Sequence, residues 1–313
     1  MAKRKCAVAL VLLCLCLCLP ITALAVPNEA ITLDKACVLT ITYGYEDTFF
    51  ANQTVKLYRV ADVSADFQYT LTADFAGSDL ILNGIRTQGE WNVVRSTLES
   101  YILGNRIAPT KEVTTDEAGQ ALFSDLTPGL YYAAPVEVAE GELTCCFASA
   151  LVALPGESEG QWQYQVSVAA KPEILPPIDP DEKLEFTIVK LWKGVGGTDS
   201  PQTVEVEIFR NAESYALVTL SAENDWFYTW SAKNDGATWN VIERNVPEGY
   251  TMTVEQRDNI FLVTNTKPEQ PTPPPQTGDS ANIMLYIILM YVSGTMLIIL
   301  AIAGKRKDNE ESK

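Results

Sequence analysis

The stretch LEFTIVKLW, Leu184–Trp192, alternates β-branched and aromatic residues with period two and reads as a β-strand. One face carries Leu184, Phe186, Ile188 and Trp192, with Lys190 among them. Glu185, Thr187, Val189 and Leu191 take the other face. A bare ammonium in a core-facing row is strongly disfavoured. A strand end from which the amine snorkels to water, or a reversed strand orientation, would remove the conflict. Two nearby strands repeat the anomaly. In TWNVIER, Trp239, Val241 and Glu243 share a face, and in IFLVTN, Phe261, Val263 and Asn265 do. Three complementary polar residues in apolar rows of one small region point to a buried site.

Self-catalysed amide formation between side chains needs these three residue types. The Lys190 amine must be neutral to act as a nucleophile, and burial favours that state. Asn265 supplies the carboxamide carbon and loses ammonia. Glu243 can hold a proton, hydrogen-bond the amide oxygen and shuttle protons between amine and leaving group. No cofactor is required, and the reaction occurs once per folded molecule.

The region around this strand, 184–267, is rich in short alternating segments such as TVEVEIFR, ALVTLSA and YTMTVEQ, with turn signals at Asn234-Asp235-Gly236 and Pro247-Glu248-Gly249. That spacing predicts a β-sandwich. A linker rich in proline and charge, 172–183, precedes it. The region before the linker, 26–171, is also mostly strand, and EWNVVRSTLESYILGN predicts one inserted helix. Trp91, Val94, Leu98, Tyr101 and Ile102 share its apolar face, with Gly104 expected to close its C-terminus. The fold expected is mostly β: two tandem immunoglobulin-like β-sandwich domains, the first with an inserted helix.

The two ends of the 313-residue chain carry targeting signals. Residues 1–25 have a basic start (Lys3, Arg4, Lys5), an apolar run and Ala23-Leu24-Ala25, the pattern of a cleaved signal peptide. Cleavage there leaves Cys37, Cys145 and Cys146. One disulfide, Cys37 to Cys145 or Cys146, fits an oxidising exterior and leaves one thiol over; three small buried residues is the other reading. Residues 283–303 form an apolar run long enough to span a bilayer, and the tail 304–313 opens on Lys305, Arg306 and Lys307, which places it in the cytoplasm. A proline-rich spacer, 268–282, lies just before the span.

Within that spacer, Pro274-Pro275-Gln276-Thr277-Gly278 resembles the LPxTG sorting signal of Gram-positive surface proteins, with Pro274 in place of leucine. The resemblance implies a sortase that cuts between Thr277 and Gly278 and passes the Thr277 carbonyl to an amine of peptidoglycan or of another subunit. An ordinary single-pass membrane protein with a proline-rich stalk is the alternative. Region 184–267 resembles the Cna-type B domain of Gram-positive adhesins and pilins, through VKLW, WNVIERNVPEGY and FLVTNT. That resemblance puts the isopeptide cross-link between Lys190 and Asn265, with Glu243 as its catalytic residue. By analogy with a disulfide closing a loop this long, such a bond adds roughly 4–5 kcal/mol.

GQALFSDLTPGLYYAA and the segment running up to Lys171 resemble the N-terminal domain of Gram-positive pilin subunits. The first strand there, CVLTITYGY, has no lysine, and the last has Ala169 and Ala170 where an asparagine is needed, so no isopeptide is expected. A pilin motif aligns on Trp162, Val166, Val168 and Lys171 without its Tyr-Pro pair. If it carries over, Lys171 is the amine that accepts the next subunit; an exposed linker lysine is the other reading.

A net charge of −17 argues against nucleic-acid binding, and the absence of histidine removes Ser-His-Asp and Cys-His catalysis and most zinc sites. No metal or cofactor is expected. The reading is a secreted, sortase-anchored structural protein of the cell surface, a pilus subunit or wall-anchored stalk, and not an enzyme. An adhesin that binds a host or matrix ligand is the alternative.

Overall fold

The computed structural model describes residues 29–140, 143–174, 179, 181–194 and 201–267. The segment expected to be a signal peptide, the proline-rich spacer with the expected sorting motif, the apolar run and the basic tail lie outside the described residues. Those described fall within one compact unit.

The first sandwich begins with β1 (Cys37–Thr42), whose residues are alternately buried and half-buried. Then come β2 (Thr54–Val63), β3 (Tyr69–Leu71), the helix α1 (Gln88–Asn105) and β4 (Lys111–Thr114). Further strands are β5 (Gln120–Leu126), β6 (Gly129–Ala133), β7 (Val136–Glu140), β8 (Leu143–Phe147), β9 (Ala150–Leu154), β10 (Gln165–Ala169) and β11 (Pro172–Ile174), besides two short hairpins at 44–49 and 156–163. One sheet has the order β10-β1-β5 and a second the order β9-β6-β2-β3, with β4 also paired to β2. A small third sheet, β11-β8-β7, closes one end. Val55 and Leu57 of β2 face the core shared with β1, whereas Tyr58 and Val60 join a second core under α1. Alternation puts these two pairs on opposite faces of β2, and the β2–β6 pairing shifts register between Arg59 and Ala61. Burial on both faces makes every residue of β6 inaccessible.

Thr87 starts α1 with a capping box: its hydroxyl accepts from the Glu90 amide, and the Glu90 carboxylate accepts from the Thr87 amide. At the other end the helix runs past Gly104 to Asn105, and Arg106 adopts the left-handed cap with φ of 54°. Gly104 therefore does not close the helix. It lies inside the last turn, where a Cβ would stand 2.8 Å from Ile242 Cδ1 in the second sandwich. Close approach, not turn geometry, is what requires glycine there.

Pro172–Ile174, placed in the linker by sequence, pair with Cys145–Phe147 as the edge strand β11. All three cysteines are free thiols, so the disulfide is not formed. Cys37 opens β1, while Phe147, two residues beyond Cys145, packs edge-on against Tyr43 past the other end of that strand.

The second sandwich contains β12 (Lys183–Lys193), β13 (Thr203–Arg210), β14 (Glu213–Ser221), β15 (Phe227–Lys233), β16 (Trp239–Arg244), β17 (Thr251–Arg257) and β18 (Ile260–Thr266). Its sheets have the orders β15-β12-β18-β17 and β14-β13-β16. The first strand, β12, runs parallel to the last, β18, and antiparallel to β15. Phe186, Trp230, Trp239 and Phe261 stack through one half of the core.

Candidate functional site

Lys190, Glu243 and Asn265 are 3%, 3% and 0% exposed, in a core otherwise built from apolar side chains. Strand alternation puts them there. On β12, Phe186, Ile188 and Lys190 are the buried residues, and the parallel register sets Lys190 beside Val263 and Trp192 beside Asn265. Lys190 and Asn265 therefore share the inner face of adjacent strands, two residues apart along the ladder. Glu243 enters from the opposite sheet, on β16, where it pairs with Val206 of β13.

The three side chains meet through Glu243. Its Oε2 lies 3.1 Å from Lys190 Nζ, and its Oε1 accepts a hydrogen bond of 2.7 Å from Asn265 Nδ2. Lys190 Nζ also donates to the carbonyls of Leu191 at 3.3 Å and Val263 at 3.5 Å. Burial lowers the Lys190 pKa from 10.5 to about 8, against the opposing pull of the Glu243 charge. The amine is thus held far closer to its nucleophilic form than a surface lysine. Asn265 Oδ1 is buried with no hydrogen-bond partner among the described residues. The amide nitrogen, not the oxygen expected from sequence, faces the glutamate, because a carboxylate accepts and cannot donate.

Aromatic walls close the site. The Trp192 ring centroid is 4.3 Å from Lys190 Nζ, and Trp226 and Tyr250 meet Trp192 edge-on. Period two placed Trp192 in the row of Lys190. Tyr250 ends the stretch WNVIERNVPEGY and arrives from a loop, whereas nothing in the local pattern marked Trp226, which arrives from a turn.

Of the other expected residues, Lys171 is exposed between β10 and β11, and its carbonyl accepts from the Ala148 amide at 3.2 Å. It borders a groove lined by Phe67, Tyr69, Trp91 and Pro172. Pro274, Pro275, Gln276, Thr277 and Gly278 lie outside the described residues.

Residues 186–266 match the Cna protein B-type domain family. No curated protein matches the chain. Among solved structures, the chain is similar to a single B repeat unit of the collagen binding surface protein of Staphylococcus aureus. That match has 13% identity and a TM-score of 0.25, covering 74% of this chain and 98% of that one. The full-length major pilin SpaD of Corynebacterium diphtheriae matches at 10% identity and a TM-score of 0.27, covering 77% and 99%. A variant of the shaft pilin SpaA of Lactobacillus rhamnosus GG matches at 13% identity and a TM-score of 0.26, covering 75% and 100%. The second sandwich is a Cna protein B-type domain.

Proposed function

We propose that this chain is a structural protein of the cell surface, attached by a sortase to the cell wall or into a pilus. In this reading an isopeptide bond between Lys190 and Asn265 stabilises it mechanically. The observation that carries the proposal is the buried contact of Lys190, Glu243 and Asn265 in the core of the B-type domain. Neutral Lys190 Nζ attacks Asn265 Cγ, and the new N–C bond replaces the bond from Cγ to Nδ2. Glu243 takes the Lys190 proton and returns one to the departing nitrogen, so that one ammonia leaves and nothing is oxidised or reduced. Once Glu243 has taken a proton, a half-turn of the Asn265 amide brings Oδ1 to the acid and stabilises the developing oxyanion. Because β12 is the first strand of the domain and β18 the last, tension applied at its two ends would run through the bond and not through the hydrogen-bond ladder.

Intact mass spectrometry of the purified chain tests the bond. Wild type should weigh one ammonia less than its sequence, and Glu243→Ala should show the full mass; an unshifted wild type sinks the cross-link. Attachment is tested by expression beside a sortase. A ladder of covalent multimers lost in Lys171→Ala would mark a polymerising subunit with Lys171 as the acceptor. A single wall-linked species that requires Thr277 would mark a monomeric anchor.

A further inference from the structure

Among the described residues no strand of one sheet of the B-type domain pairs with a strand of the other, yet Glu243 on one must reach Lys190 and Asn265 on the other. The helix α1 of the first sandwich touches both sheets along their common side. On the sheet that carries Glu243, the residues before and after it are both held by Gly104. Ile242 packs against the Cα of Gly104, and Arg244 Nη2 donates to the Gly104 carbonyl at 2.8 Å while its Nε donates to Glu207 Oε2 at 2.6 Å. The outward face of β16 is consequently buried, with Ile242 2% exposed.

On the other sheet, β17 is the edge strand beside β18, with Met252 opposite Asn265. Its outward backbone is met by Thr97, whose hydroxyl oxygen accepts from the Val254 amide at 2.9 Å and lies 3.2 Å from the Val254 carbonyl. Tyr101, between the two anchors, packs on the domain core. Thr97 and Gly104 are seven residues apart, about 10.5 Å along a helix. Face-to-face sheets pack about 10 Å apart. The helix segment therefore has the length of the gap it bridges.

We propose that α1 is a strut that fixes the spacing of the two sheets and so positions Glu243, with Thr97 and Gly104 as positioning residues supplied by the neighbouring domain. The proposal rests on the cross-linking reading of the site. Cross-linking of the B-type domain then follows docking of the first domain, and the two mature together. Thr97 also covers the open edge of β17, which would otherwise offer unpaired backbone groups.

The test uses the full chain, synthesised in a cell-free system, quenched in acid at intervals and weighed intact. Gly104→Ala drives a methyl group into Ile242 and Thr97→Val removes the hydroxyl. Each should slow ammonia loss by roughly tenfold or more, because small misplacements of reacting groups are costly. Circular dichroism should report the same folded fraction. Two rescues separate positioning from general damage: Ile242→Ala should restore the rate in Gly104→Ala, and Thr97→Ser should behave as wild type. Faster exchange of the Val254 amide in Thr97→Val should accompany the slow reaction. Wild-type rates in folded Gly104→Ala and Thr97→Val chains would overturn the strut while leaving the cross-link standing. Absence of ammonia loss in wild type would sink the cross-link, and the positioning role with it.

Discussion

The two sandwiches close in the same way and differ in what they put at the closure. In the first, β1 runs parallel to β10, the strand that precedes the linker side of that domain; in the second, β12 runs parallel to β18. At the first closure the inward residues are apolar: Leu39 and Ile41 are buried, and Val166 and Val168 are half-buried against the same core. At the second, the equivalent inner rows carry Lys190 and Asn265, with Glu243 facing them. Both ladders are hydrogen-bonded, and the first buries only apolar side chains beneath it. The other accepts the cost of burying an ion pair, which is rarely a gain in stability by itself. That contrast teaches where the proposed covalent bond would be worth having: at the closure whose inner rows carry the buried charges.

The largest break in this comparison should come from Glu243→Ala. It prevents the bond and strands Lys190 in the core, where removing one member of a buried pair costs about 3–5 kcal/mol beyond the lost cross-link. Chemical denaturation of the second sandwich, followed through its tryptophans, measures it. Asn265→Ala should cost about 4–5 kcal/mol, the loop-closure contribution, while the Lys190–Glu243 pair survives.

The same variant sharpens the comparison through pH. The folded Lys190 pKa of about 8 lies below its ordinary 10.5, so between those values the unfolded chain binds a proton that the folded chain has released. Stability of Asn265→Ala should therefore rise as pH climbs from about 8 to about 10.5, with the penalty fully present below 8. A denaturation midpoint that falls across this window would contradict the buried amine.

At the apolar closure, Leu39→Ala should cost about 2–5 kcal/mol through cavity formation, with no change in ammonia loss. The smallest effect concerns the thiols. Burial raises the pKa of Cys37, Cys145 and Cys146, and only Cys146 is partly accessible. Alkylation of the native chain at neutral pH should be slow and should modify Cys146 first, as read by peptide mass mapping.

Much of the site was legible because strand side chains alternate strictly. A polar residue in an apolar row stands out, and Lys190, Glu243 and Asn265 each did. The same rule does not tell what covers the other face of β16, which carries Asn240, Ile242 and Arg244. Asn240 and Ile242 are buried, since a helix distant in sequence covers that face. On α1 the apolar stripe of Val94, Leu98 and Ile102 was visible and packs as expected on the first sandwich. Tyr101 was read as part of that same apolar face, but its neighbours Thr97 and Gly104 carried no hydrophobic signal that marked an interface. A threonine and a glycine are used there for a hydroxyl and for close approach, and neither use has a period. Gly104 was accordingly read as a helix stop.

The sequence by itself determined the strand-rich class, the B-type domain and the three polar residues that break its apolar rows, because period-two patterning and burial cost act locally. Only the tertiary structure decided that those residues meet, which amide atom faces Glu243, that the cysteines stay apart, and that α1 spans both sheets of its neighbour. Each of these depends on distances between segments remote along the chain, and those are set by packing, not by any local preference.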